Sequence, residues 1–281
     1  MKKKVAVITG AGSGIGLAIS QRLSAVYDLV MVDVNSENLN LAVKQINDAG
    51  NRAYAVVGDV SEHQTHQSAR AAGEKIGTLV AWVNCAGVTR GAPLHDYPDD
   101  SWFLEEIIQI NQIGSFWGSA EAVTSFLESK NSGAIVNISS VHGRLAWPDF
   151  AVYEMTKAAI DALTKNIAVS YGAFGIRANA IAPGAIRTPA LEQSILSAQD
   201  PVARRMDLES LTPAKRIGEP AEIAEVALFL LSSAASFISG TSIAVDGGWT
   251  SALGTFEPSA ELAAKYGLDP KIGLSKDWNN G

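Results

Sequence analysis

Short apolar runs alternate with longer amphipathic stretches along the chain. The runs VAVIT (5–9), LVMVD (29–33), RAYAVVG (52–58), LVAWVN (79–84), AIVNIS (134–139), IRANAIA (176–182) and SIAVDG (242–247) are rich in Val, Ile and Ala. Strands apolar on both faces belong to sheets that are covered on both sides. Between them, 15–26, 36–49, 61–75, 100–129, 150–172 and 220–231 show the helical recurrence of apolar positions. Strict alternation of seven strands with helices predicts an α/β domain built on a single doubly wound, Rossmann-type parallel sheet, with helices on both faces.

No linker interrupts this series, so one domain is expected over 1–249. Two segments break the rhythm. The stretch 185–215 is too long for an ordinary connection and is expected to be a substrate-binding loop or lid. The extension 250–281 holds a short helical run at 258–266 but no further βα unit. It is either an arm over a neighbouring subunit or the active site, or a frayed tail.

Composition narrows the partners. The chain has 281 residues, 47% apolar and 18% charged, as in soluble globular proteins. A net charge of -7 argues against broad nucleic-acid or anionic-membrane binding, so a small-molecule substrate is expected. The opening MKKKVAVITGAGSG is basic, but glycine ends its apolar run after Thr9, too early for a secretory leader. The stretch Val226 to Leu231 is far shorter than the ~20 residues of a bilayer span. The single Cys85 excludes an intramolecular disulfide and agrees with a reducing compartment. A cytoplasmic location follows as the expectation. The four histidines, 63, 66, 95 and 142, lack the spacing of a zinc site, and no metal is expected. His63 and His66 share a helix face read as solvated.

The first strand runs directly into TGAGSGIG (9–16), which opens a helix. Glycines there let the backbone approach a pyrophosphate, and the helix N-terminus offers unpaired N–H groups. The G-x-G-x-x-G spacing is not met, because Ile15 or Leu17 occupies the third position. Gly10, Gly14 and Gly16 fit T-G-x-x-x-G-x-G instead. About twenty residues on, the second strand ends at Asp33, whose carboxylate can accept from ribose hydroxyls and would repel a 2′-phosphate. The cofactor expected is NAD, in preference to NADP.

In YEMTK (153–157), a tyrosine and a lysine stand four apart on one helix face. A phenol ordinarily ionises near pH 10, and a neighbouring cation favours its phenolate. Such a pair suits general acid/base work on an alcohol and its carbonyl.

The whole set resembles the short-chain dehydrogenase/reductase family from Lys4 to Trp249. The likeness rests on TGAGSGIG, Gly58-Asp-Val60, Asn84-Cys-Ala-Gly87, Asn111, Asn137-Ile-Ser-Ser140, YEMTK, Pro183-Gly184, Ser239-Gly-Thr and Asp246-Gly-Gly248. It implies a catalytic set of Asn111, Ser140, Tyr153 and Lys157, with Tyr153 as general acid/base. Ser140, 13 residues before the tyrosine, orients the substrate oxygen, and Asn111 supports a water-mediated proton path through Lys157. Ser139 is assigned to structure. The resemblance further implies that Gly10, Ser13, Gly14, Ile15, Gly16, Asp33, Asp59, Val60, Asn84, Ala86, Gly87, Tyr153, Lys157, Pro183, Gly184, Ile186 and Thr188 bind the cofactor. It also implies helix pairing across subunits in a homotetramer, with a dimer as the other option. The sequence departs from the family at Cys85, where a second asparagine is usual, and at Val26-Tyr-Asp28, which lacks an expected glycine.

Substrate residues are expected in the loops after the strands. In Val141 to Phe150, His142 and Trp147 join Ser140 and Tyr153 as candidates, although Trp147 and Phe150 could equally pack the helix start. Arg90 and His95 read as solvated. A mixture of polar donors and flat aromatic surface suits a polyol, sugar or oxygenated ring. The function expected is an NAD-dependent oxidoreductase on a secondary alcohol or ketone. The alternatives are a 3-oxoacyl-thioester reductase, against which Asp33 argues, and a non-catalytic NAD sensor.

Overall fold

The computed structural model describes residues 3–96, 102–254, 257 and 259–267. Among these, β1 (Lys4–Thr9), β2 (Asp28–Asp33), β3 (Ala53–Val57), β4 (Thr78–Asn84), β5 (Gly133–Ile138), β6 (Ile176–Pro183) and β7 (Ser242–Val245) form one sheet. All its pairs are parallel, and the order is β3-β2-β1-β4-β5-β6-β7. The order reverses between β1 and β4, and the crevice beyond the carboxyl ends of those strands is where open α/β sheets bind ligands.

The helices are α1 (Gly14–Leu23), α2 (Ser36–Asp48), α3 (His63–Ile76), α4 (Trp102–Ile107), α5 (Gly114–Glu128), α6 (Ala151–Tyr171), α7 (Pro189–Leu196), α8 (Pro201–Ser210), α9 (Pro220–Leu231) and α10 (Ala260–Tyr266). Successive side chains of a strand point to opposite faces, and β1 divides accordingly. Ala6 and Ile8 join Ile19, Leu39, Ile223 and Leu230 beneath α1, α2 and α9. Val5 and Val7 join Ala69, Phe126 and Ile167 beneath α3, α5 and α6. This is why the strands read as continuous apolar runs.

Three expectations need correction. The helix expected over 100–129 is broken in two by a π-helical segment, Ile108–Ile113, while residues 100 and 101 lie outside the described residues. The first helix ends at Leu23 rather than 26, and Tyr27 turns into the core, 7% exposed. His66 is not solvated but 1% exposed; its Nε2 donates to the Val60 carbonyl at 2.8 Å and its ring lies against Trp82, with centroids 6.2 Å apart. Desolvation pushes this imidazole below its ordinary range. On the same face His63 stacks on Trp117 at 3.9 Å and meets Glu121 at 2.7 Å. That face of α3 packs against α5, so both rings are in contact with protein.

The 185–215 segment folds into α7 and α8, each started by a proline at its first turn and capped by Thr188 or Asp200. Of 250–281, α10 begins at Ala260, two residues later than expected, and 268–281 lie outside the described residues. No helix among the described residues is long and apolar enough to cross a membrane.

Candidate active site

The glycine turn is fixed by lack of space. Gly10 has φ +67°, and a Cβ there would stand 2.8 Å from the Ala86 Cα. A Cβ on Gly16 would come within 2.1 Å of the Gly10 carbonyl oxygen, so only glycine lets α1 start this close to the turn. Gly14 has φ +52° and faces Thr188, whose side chain would lie 3.3 Å from an added Cβ. Ser13 at the N-cap of α1 makes no capping bond, leaving the first-turn N–H groups without a side-chain acceptor. With Ile15 and Gly16, they present the kind of helix N-terminus that can accept a phosphate. These features fit a dinucleotide.

Asp33 ends β2 directly above the turn. Its Oδ2 accepts from the Gly12 N–H at 2.8 Å and its Oδ1 from the Asn35 N–H at 2.9 Å. The carboxylate is therefore aimed by two backbone donors and stays partly exposed at the rim. Asp59 accepts from the Ser61 N–H at 2.8 Å, closing the turn after β3, and Val60 is 6% exposed beside it. The His66 bond to the Val60 carbonyl braces this corner from behind.

Thr9 ties β1 to the loop after β4: its Oγ1 accepts from the Cys85 and Ala86 N–H groups at 3.0 and 3.2 Å. Asn84 does not present its side chain to the crevice. It accepts from Trp82 Nε1 at 2.9 Å and donates to Asn137 Oδ1 at 2.8 Å and Ser119 Oγ at 3.0 Å, all buried. Its side chain thus joins β4 and β5 to α5, and only its backbone can line the crevice. Cys85 fills the usual asparagine position as an inert group, because burial pushes its thiol up to about 12 although the Lys157 ammonium pulls the other way. On the far side, the Gly184 N–H donates to the Val245 carbonyl at 3.1 Å just beyond Pro183, and Ile186 bridges to Gly218. Thr188, the N-cap of α7, stands over Gly14 and closes the ring of candidates around the turn.

The catalytic candidates converge where α5, α6 and the loop after β4 meet. Lys157 is 5% exposed, and its Nζ donates to the Ile138 carbonyl at 2.9 Å while lying 5.5 Å from the Tyr153 ring centroid. The Tyr153 hydroxyl has no partner among the described residues. Asn111 is fully buried in the π segment. Its Oδ1 accepts from the Val88 N–H at 2.8 Å, and its Nδ2 donates to the Val88 carbonyl at 2.9 Å and to Thr156 Oγ1 at 3.3 Å. The extra residue of a π turn rotates a side chain off the helical face, a distortion common at functional sites. A Cβ on Gly87 would lie 3.2 Å from Asn111 Oδ1 and 3.7 Å from Lys157 Nζ, so this glycine is the space in which the two meet.

Ser140 follows β5 and caps a 3-10 turn, Val141–Gly143, by accepting from the His142 N–H at 3.2 Å. Ser139 Oγ instead donates to the Lys157 carbonyl at 3.1 Å in the interior. The His142 ring lies 5.6 Å from Tyr153, 5.7 Å from Phe150 and 6.5 Å from Trp249. Trp147 meets Trp249 edge-on at 6.3 Å. Arg90 is paired with Glu106 at 2.6 Å, at the surface.

Trp249 and Glu154 escaped the reading of the sequence. Trp249 comes from a turn after β7, held by Asp246 accepting from the Gly248 and Thr250 N–H groups, at 2.9 and 2.8 Å. Its only signal was its place just after Asp246-Gly-Gly248. Glu154 looked like an ordinary helix residue beside Tyr153.

Fold and site together define a dinucleotide-binding α/β protein with a tyrosine and lysine at its switch point. Residues 10–250 match the family model described as enoyl-(acyl carrier protein) reductase, of the short-chain alcohol dehydrogenase type. The chain is 38% identical over 253 residues to a 3β-hydroxysteroid dehydrogenase 1 of Eggerthella lenta, covering 89% of this chain and 95% of that one. It is 36% identical over 248 residues to a galactitol 2-dehydrogenase (L-tagatose-forming) of Cereibacter sphaeroides, 87% of this chain and 94% of the relative. A solved gluconate 5-dehydrogenase from Burkholderia cenocepacia, in complex with NADP and tartrate, superposes with a TM-score of 0.82 at 33% identity, covering 90% of this chain and 97% of that one. The chain belongs to the short-chain dehydrogenase/reductase family, oxidoreductases of CH–OH groups.

Proposed function

We propose that the protein is an NAD-dependent dehydrogenase of a secondary alcohol, of the sugar, polyol or oxygenated-ring class, working reversibly with the ketone. The observation that carries this reading is the meeting of Lys157 and Asn111 around Gly87, with the Tyr153 ring 5.5 Å from the Lys157 ammonium. When bound, the nicotinamide supplies or accepts the hydride. Tyr153 holds or takes the proton at its hydroxyl, which no group among the described residues engages. Lys157 places a buried positive charge 5.5 Å from the centre of the ring and can also hold ribose hydroxyls. Ser140 orients the substrate oxygen. Asn111 braces the loop 85–88 and keeps Lys157 in reach of a water path.

Gly10, Ser13, Gly14, Ile15, Gly16 and Thr188 would hold the pyrophosphate, and Asp59 and Val60 the adenine. The backbone of Asn84, Ala86 and Gly87 would support the ribose, with Pro183, Gly184 and Ile186 beside the nicotinamide. Asp33 supports NAD over NADP, since a 2′-phosphate would bring negative charge against a carboxylate that two backbone donors hold in place. The named relatives, which by name act on a hydroxysteroid, galactitol and gluconate, support a multiply oxygenated or cyclic alcohol.

A cytoplasmic homotetramer completes the reading. Phe116, 46% exposed on α5, lines with Gln112, Ile113, Ala159 and Leu163 a groove that a second copy would cover. The domain spans 1–249, with 250–281 as an extension and α7–α8 as the lid over the pocket.

The test is reduction of NAD and of NADP across sugars, polyols, cyclic alcohols and hydroxy acids. Turnover is expected with NAD and a cyclic or multiply hydroxylated secondary alcohol. Tight NAD binding without turnover on any alcohol would instead favour a sensor.

A further inference from the structure

Behind Tyr153 stands a pair that no catalytic role has used. His142 Nδ1 lies 3.3 Å from Glu154 Oε1, and the same oxygen accepts from the Trp147 N–H at 2.6 Å. Both side chains are about one-fifth exposed, 21% for the imidazole and 20% for the carboxylate. The carboxylate is an acceptor only, so the nitrogen facing it must carry the proton. In the neutral ring Nε2 is then an acceptor, and it has no partner among the described residues.

The ring is also held on its faces and edges. Tyr153 and Trp249 meet it edge to face, at 71° and 85°, and Phe150 is tilted at 47°. The His142 N–H donates to Ser140 Oγ, which couples the turn to the serine beside the reacting oxygen. A hydrogen-bond acceptor is therefore fixed, in one tautomer, next to the phenol of Tyr153 and inside a wall of aromatic surface. Such a wall takes the C–H face of a ring, and the acceptor takes a hydroxyl on a carbon beside the reacting one.

We propose that His142, oriented by Glu154, selects alcohols carrying a second hydroxyl adjacent to the carbon that is oxidised, with Phe150, Trp147 and Trp249 receiving the ring or chain carbons. This rests on the dehydrogenase reading and makes it narrower. His142 touches substrate and sets specificity, while Glu154 is a positioning residue that acts through the imidazole. A site built to pair a substrate hydroxyl rejects the analogue lacking it, because the acceptor is left without a partner.

The experiment compares kcat/KM for trans-1,2-cyclohexanediol and cyclohexanol with NAD. The variants are His142→Phe, His142→Gln, Glu154→Ala and Glu154→Gln. The wild type is expected to favour the diol about 10-fold or more. His142→Phe, which keeps a flat ring, brings that ratio to about 1 by costing the diol about tenfold more than cyclohexanol. His142→Gln, which restores an acceptor, recovers part of the ratio. Glu154→Ala lowers it with His142 still present, and Glu154→Gln, which keeps an oxygen for both donors, holds most of it. NAD affinity by titration is expected to stay level throughout.

Equal loss of both substrates in His142→Phe, or a ratio that no variant moves, overturns the proposal and leaves the dehydrogenase reading standing. A wild type with no preference for the diol overturns it too. Absence of turnover with every alcohol overturns the dehydrogenase reading itself, and this proposal with it.

Discussion

The two ends of the crevice are specified in different ways. At the glycine turn the backbone decides: Gly10 and Gly14 take left-handed conformations and Gly16 has no room for a single added carbon. Around Tyr153 side chains decide, and His142, Phe150, Trp147 and Trp249 come from the turn after β5, the start of α6 and the turn after β7. A backbone constraint admits few residues, so it leaves a fixed motif. A wall of aromatic contacts admits many sequences, so the pocket can be retuned for a new substrate without disturbing the cofactor. On the proposed function, the cofactor is written into the first region, and the reaction and its selectivity into the second.

Substitutions can break that division, beginning with the largest effect. Lys157→Ala is expected to lower kcat/KM by about 10³-fold, since it removes both the buried cation beside Tyr153 and the donor to the Ile138 carbonyl. Steady-state kinetics with NAD titration would reveal it, and a loss under tenfold would place the catalytic cation elsewhere. Gly16→Ala should cost about 2 kcal/mol of stability in denaturant unfolding and weaken NAD binding, because its Cβ meets the Gly10 carbonyl. An equal substitution in the pocket, Trp249→Phe, should leave NAD affinity unchanged. If both variants lost NAD binding alike, the two regions would not be separable.

A smaller effect sharpens the cofactor half. Asp33→Asn removes the charge yet keeps an oxygen for the Gly12 or Asn35 N–H, and is expected to shift preference toward NADP by about tenfold. Kd values for both cofactors in wild type and variant measure it directly. The smallest is a stability effect behind the corner at Val60. Burial holds His66 below its ordinary value of 6.5, so the unfolded chain takes up a proton that the native chain does not. Its favourable contribution is present above pH 6.5 and is lost as the pH falls through the lowered native value. Melting temperatures at pH 7 and pH 5 should fall less in His66→Gln than in the wild type.

These regions also differ in how much of them the sequence reveals. The parallel sheet was legible because buried strands must be apolar on both faces, and β1 divides its residues between two cores as that rule requires. The turn 9–16 and the Tyr153 and Lys157 pair were legible because their spacings are local. The π segment was not: Ile108 to Ile113 satisfies a helical pattern, and only the bonds from Asn111 to Val88, 23 residues away, make the extra residue worthwhile. His66 looked like its neighbour His63, and its burial depends on Trp82 on β4. Asn84 sat in a recognisable motif, yet its side chain serves Asn137 and Ser119. Trp249 lies 96 residues beyond Tyr153 and reaches the pocket only because β7 ends beside β6. Each miss is a partnership made by tertiary structure.

The central claim is that Tyr153 moves the proton in a site whose cofactor cradle stands without it. Single-turnover hydride transfer in Tyr153→Phe, measured alongside the Kd for NAD, tests it most directly. The phenyl ring keeps its packing against His142 and Phe150 and loses only the hydroxyl. Transfer is expected to slow by about 10³-fold or more while the Kd stays within about twofold. Transfer at the wild-type rate, or a loss matched by an equal loss of NAD binding, would contradict the claim.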